Sequence, residues 1–224
     1  MKEIVLDTET TGLSVKDGHR IVEIGCIELN NLVPTLNKFH CYLNPERKVS
    51  QNALEVHGYT DQFLADKKKF FEIADEFLLF IKDQKLIIHN AEFDISHLNN
   101  ELKIAGKKII EKENVVDTLE IARDKHPGSQ ISLDALCKRY RIDNSKREKH
   151  NALIDCELLT KVYINLIDQK EPKLNFTQTN QNLGYKKLDK TNNYFKKIVE
   201  PSSEEIKLHN DFLKNHLKKN FFLT

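Results

Sequence analysis

Three short stretches of the chain place acids where the apolar pattern points inward. Asp7 and Glu9 stand two apart after the run Ile4-Val5-Leu6, and the two-residue period of a strand sends both carboxylates to one side. Asp94 precedes Leu98, Leu102 and Ala105 by four, eight and eleven residues, which puts it on the apolar face of a helix. Asp155 shares a helical face with Leu158, Leu159, Val162 and Leu166, at offsets of three, four, seven and eleven. His150 comes five residues earlier, where a loop turning into a helix lets its ring swing towards Asp155.

Each stretch has an ordinary reading when taken alone. Asp7-Thr8-Glu9-Thr10-Thr11-Gly12 suits a strand-exit turn, Asp94 suits a helix N-cap, and His150 follows the surface-like run Lys146-Arg147-Glu148-Lys149. Jointly, four acids facing an interior repel one another unless they share a compensating partner. Hard divalent cations are such a partner: magnesium and manganese prefer carboxylate and water oxygens. Two of them, roughly 4 Å apart, activate a water and stabilise the leaving oxygen in phosphoryl transfer. A histidine close to that water, with a pKa near working pH, can take its proton. The chemistry implied is phosphodiester hydrolysis.

The elements that must position these residues alternate in type. Strands are expected at 3–7, 20–28 and 38–43, as an antiparallel meander broken at Thr11-Gly12, Asp17-Gly18 and residues 30–34. Phe70, Ala74, Phe77, Leu78 and Ile81 recur at helical spacing. Leu86-Ile87-Ile88 reads as a buried strand before the helix that carries Asp94, and Val115-Val116 as another strand. Helices over 132–140 and 152–167 complete an α/β pattern, predicting a mixed central sheet flanked by helices.

Composition limits the rest. The 224 residues carry 35 Lys+Arg against 34 Asp+Glu, which excludes a grip on nucleic acid by bulk positive charge. No apolar run approaches the roughly 20 residues of a membrane span. The short apolar start does not suit a signal peptide, and Cys26, Cys41, Cys137 and Cys156 form no C-x-x-C pair, so the expected setting is the cytoplasm, without membrane, zinc or disulfides. A body of residues 1–170 is followed by an Asn/Gln/Thr-rich stretch, 171–194, that reads as a flexible linker. A tail, 195–224, regains helical pattern, with a capping box at Ser202 and Glu205 and an apolar face of Ile206, Leu213, Leu217 and Phe221. From residue 171 onward there are ten lysines against six acids, so the body itself is slightly acidic.

Asp7-Thr8-Glu9-Thr10-Thr11-Gly12, His89-Asn90-Ala91-Glu92-Phe93-Asp94 and His150-Asn151-Ala152-Leu153-Ile154-Asp155 resemble, in order, the three motifs of the DEDD exonucleases, histidine variant. Val56-His57-Gly58, Ser132-Leu133-Asp134-Ala135-Leu136-Cys137 and the stretch 140–147 resemble more narrowly the proofreading epsilon subunits of bacterial DNA polymerase III. The resemblance spans about residues 1–168 and implies a ribonuclease H-like fold and 3′→5′ hydrolysis. It makes Asp7, Glu9, Asp94 and Asp155 ligands of two divalent ions, Mg2+ or Mn2+, and His150 the general base. It also implies that the 3′-terminal nucleotide meets Asp7, Glu9, Thr10, His57, Phe93 and Asp155. Asn52 stands where some members place an acidic substrate contact. As partners the resemblance implies a DNA 3′ end, the polymerase (alpha) subunit through the tail, a small accessory subunit, and a sliding clamp near residues 171–176, where Glu171 replaces the usual leading Gln. Two other readings remain: a free-standing nuclease trimming RNA or single-stranded DNA ends, and a non-catalytic module that only stabilises a polymerase.

Overall fold

The computed structural model describes residues 2–145, 147, 149–168 and 200–216, and the chain divides into two units, 1–174 and 175–224. In the first unit β1 (Lys2–Thr10) is the centre of a five-stranded sheet. β2 (Ile21–Asn30) pairs antiparallel with it, and β3 (Val33–Tyr42) pairs antiparallel with β2. Two short helices, α1 (Gln51–His57) and α2 (Asp61–Leu64), lead to α3 (Phe70–Ile81). β4 (Lys85–Ile88) then returns parallel to β1 and runs into α4 (Ala91–Ile104). β5 (Val115–Asp117) joins parallel to β4, giving the order β3-β2-β1-β4-β5. α5 (Thr118–Lys125), α6 (Leu133–Tyr140) and α7 (Ala152–Leu166) complete the unit.

The meander and the mixed sheet follow the sequence pattern, with two corrections. β1 continues to Thr10, so Glu9 lies within a strand rather than in an exit turn. The break expected over 30–34 shrinks to Asn31 and Leu32, both at positive φ, and Pro34 belongs to β3, opposite Leu29. Proline is tolerated there because β3 is the sheet edge and has a side with no ladder to break. α1 and α2 are too short for an apolar period, but the side chains of Ser50 and Thr60 accept the Ala53 and Phe63 N–H groups and start them.

Alternation along β1 sends Ile4 and Leu6 to one face and Val5 to the other. The first face packs under Phe77, Leu98 and Leu102 of α3 and α4, and the second under Cys156, Leu159 and Tyr163 of α7. Burying each such side chain contributes about 1.5–3 kcal/mol, so the centre of β1 is anchored from both faces. Gly25, the register partner of Asp7, lets α7 lie directly on β2: a Cβ there would sit 2.6 Å from the Ala152 carbonyl carbon.

In the second unit α8 (Ser203–His216) begins with the expected capping box. Glu205 N–H donates to Ser202 Oγ at 3.3 Å and Ser202 N–H donates to Glu205 Oε2 at 2.8 Å. The linker 171–194, with the clamp-like segment 171–176, and tail residues 195–199 and 217–224, among them Leu217 and Phe221, lie outside the described residues. No helix among the described residues is long and apolar enough to cross a membrane.

Candidate active site

β1 supplies Asp7 and Glu9 at the end of the parallel half of the sheet. The next acid arrives through a tight exit from β4. Asn90 takes the left-handed conformation, φ 67°, and the N–H groups of Asn90 and Ala91 both donate to the Asp117 carboxylate at 3.0 Å, which starts α4. The first turn of α4 then presents Asp94, buried at 3% exposure. Asp94 is not the N-cap. Its Oδ1 accepts from Thr8 N–H at 3.0 Å and from Thr8 Oγ1 at 2.6 Å, which fixes α4 to the strand between Asp7 and Glu9.

Asp155 comes from the first turn of α7, whose N-cap Asn151 accepts the Ile154 N–H at 3.0 Å. The start of that helix is held by Glu23 of β2, a fully buried carboxylate that accepts from Asn151 Nδ2 at 2.7 Å, Ala152 N–H at 3.0 Å and Tyr59 OH at 2.9 Å. Asp155 itself is gripped by Arg147 in a two-pronged ion pair, Nε to Oδ1 at 2.6 Å and Nη2 to Oδ2 at 2.7 Å. His150, half exposed, places Nδ1 3.4 Å from Asp155 Oδ2 and 3.9 Å from Glu9 Oε1. The structure therefore gathers all five motif residues at one end of the sheet.

Their burial, with mutual repulsion added at Asp7 and Glu9, appears in their acidities. Burial, then Asp94, Glu9, Asp155 and Glu23, drives the Asp7 carboxyl well above the ordinary carboxylate range. Burial and Asp155 push Glu9 up to about 8. Burial likewise raises Asp94 to about 7, against the bonds from Thr8 that favour its charged form. Burial and the neighbouring Arg147 lower His150. The donor set suits a hard divalent ion: crowded carboxylate oxygens with more negative charge than the protein neutralises, and donor atoms of Glu9, His150 and Asp155 all within 4.8 Å of one another.

Beside Glu9 opens a cleft of about 580 Å³, large enough for a nucleotide, walled by Thr10, Leu13, Asn52, Val56, His57 and Phe93. Thr10, His57, Phe93 and Asn52 thus share one cavity. Thr10 is buried and its hydroxyl donates to Gly12 O at 2.7 Å. Phe93 is half-buried against the His97 ring, and Asn52 is exposed. His57 is tied at both nitrogens: Tyr59 N–H donates to Nδ1 at 3.0 Å, which leaves Nε2–H to donate to Thr10 O at 3.2 Å. It therefore shapes the wall of the cleft and presents the edge and face of a neutral ring.

Glu23 and Leu13 were not singled out by the sequence pattern, and Arg147 figured there as a surface charge and as the end of the family-like stretch 140–147, with no role in the site. Glu23 leaves a signal, an acid inside the apolar strand Ile21-Val22-Glu23-Ile24, but its partners are distant in sequence. Arg147 sits in a charged run and is nonetheless buried, at 7% side-chain exposure. Leu13 is 83% exposed at the mouth of the cleft.

A family model described as Exonuclease matches residues 4–163. DNA polymerase III subunit epsilon of Rickettsia felis is 45% identical over 224 residues, covering 97% of this chain and 98% of the relative. The chain belongs to this exonuclease family. The Escherichia coli subunit of the same name is 48% identical over 171 residues, 73% of this chain and 70% of the relative. Among solved structures the nuclease domain of 3′hExo, a DEDDh family member bound to rAMP, matches with a TM-score of 0.65 at 17% identity, over 75% of this chain and 92% of that one. That likeness shows the ribonuclease H-like fold. The chain is accordingly a metal-dependent 3′→5′ exonuclease of the epsilon type, a hydrolase.

Proposed function

We propose that the protein is the proofreading subunit of a replicative polymerase, removing mispaired nucleotides one at a time from a DNA 3′ end. The observation that carries this is the convergence of Asp7, Glu9, Asp94, Asp155 and His150 beside a nucleotide-sized cleft, in a chain 45% identical along nearly its whole length to a DNA polymerase III epsilon subunit.

Asp7, Glu9, Asp94 and Asp155 would hold two divalent ions, Mg2+ or Mn2+. When bound, the ions lower the pKa of a water and offset negative charge on the scissile phosphate. The chain's own groups do the rest. Thr10, His57 and Phe93 line the seat of the terminal nucleoside, with Phe93 offering a stacking face and Asn52 a polar contact at the rim. His150 faces Glu9 and Asp155 and takes the proton of the attacking water. As the water oxygen bonds to phosphorus, the bond from phosphorus to the 3′ oxygen of the preceding nucleotide breaks. A nucleoside 5′-monophosphate departs and the shortened strand ends in a 3′-hydroxyl.

The body, 1–170, works alone as the nuclease; 171–194 is the tether and 195–224 binds the polymerase alpha subunit, in the cytoplasm. A small accessory subunit and the sliding clamp are further partners, the clamp through 171–176. The test is digestion of a primer-template with a matched or mismatched 3′ end in magnesium, beside RNA of the same sequence. Faster loss of the mismatched DNA end, abolished by EDTA, is expected. Preferential decay of RNA would overturn the proofreading role and leave a free-standing trimming nuclease.

A further inference from the structure

Arg147 touches two members of the catalytic set at once. Its guanidinium covers both oxygens of Asp155, Nη1 donates to Asp134 Oδ2 at 2.7 Å, and Nη2 also lies 2.9 Å from His150 Nδ1. A guanidinium can only donate, so His150 Nδ1 is the acceptor, and its lone pair is occupied. The same Nη2 bridges His150 Nδ1 and Asp155 Oδ2, which explains how two acceptors 3.4 Å apart face each other without penalty. Asp134, itself held by Asn144 at 3.0 Å, steadies the far side of the guanidinium. Arg147 is the one guanidinium on this cluster of acids among the described residues.

We propose that Arg147 is a built-in counter-cation that stands in for divalent metal at Asp155 and keeps His150 from acting as a base until metal arrives. This rests on the reading of Asp155 as a metal ligand. Arg147 neutralises Asp155 when no ion does so, which keeps α7 from being pushed away from the acids of β1. Once an ion shares Asp155, Arg147 gives up at least one prong, Nη2 withdraws, and the Nδ1 lone pair is released for the proton of water. Base activation is thereby coupled to metal loading, so that His150 is set free only in a loaded site.

The test compares the full-length wild-type chain with Arg147→Met, using Mn2+ titration calorimetry and thermal melting in EDTA and in saturating Mn2+. Removing a competing, repelling cation should tighten Mn2+ binding by roughly five- to tenfold. The variant should melt lower than wild type in EDTA and recover most of that loss in Mn2+. An equal loss in both conditions, or unchanged or weaker Mn2+ affinity, would overturn the proposal and leave Arg147 as a brace for its loop. If wild type binds no Mn2+, the metal reading itself falls. If Arg147→Met does not fold, Arg147→Lys serves: one ammonium cannot cover both oxygens and His150, so Mn2+ should bind more tightly than to wild type by about twofold, and unchanged affinity would again overturn the proposal.

Discussion

The acids of β1 and α4 and the basic groups just before α7 belong to the same site but are held in opposite ways. Asp94 is 3% exposed and locked to Thr8 by two hydrogen bonds, on elements whose apolar side chains form the main core. His150 is 46% exposed at its side chain; its main-chain N–H reaches Val56 O at 3.2 Å and its ring leans on Arg147. On the proposed reading, the ligands for a small, geometrically demanding ion sit on rigid elements, whereas the proposed base sits at the exposed rim. The difference teaches that holding the ion and moving the proton fall to different residues, so variants on each side should fail differently.

Breaking the rigid side has the largest effect. Asp7→Asn should bring exonuclease activity to background, yet melting in EDTA should stay level or rise, because one of several repelling acids is gone. A drop of several degrees would mean that Asp7 is structural. Breaking the exposed side costs less: His150→Ala should lower kcat by roughly 10²- to 10⁴-fold while leaving Mn2+ affinity near wild type, measured by single-turnover digestion and calorimetry. The smallest effect sharpens the comparison. Asp7, Glu9 and Asp94 hold their protons more tightly folded than unfolded, so the folded chain binds more protons at intermediate pH and stability in EDTA should fall as pH rises from the ordinary carboxylate range towards about 8. Saturating Mg2+ should flatten that slope, which melting curves from about pH 5 to about pH 9 would reveal.

The gathering of the four acids and His150 was legible because an acid at an apolar position is a local contradiction that the sequence displays, and all five residues came in three recognisable motifs. The central meander was legible for the same local reason, alternation. What stayed hidden depends on partners far along the chain. Glu23 becomes meaningful only when Tyr59, Asn151 and Ala152 surround it. Arg147, in a run that looks like solvent-facing charge, acquires its role from Asp155 and Asp134. Pro34 misled because its place in a strand depends on β3 being an edge, which is a property of the assembled sheet.

Gly25 gives the site a gauge. With hydrogen alone between β2 and the first turn of α7, the backbone that carries Asp155 rests directly on the strand that pairs with Asp7. The depth at which the first turn of α7 seats on the sheet is therefore set like a stop, and any side chain at position 25 would lift Asp155 away from the acids of β1.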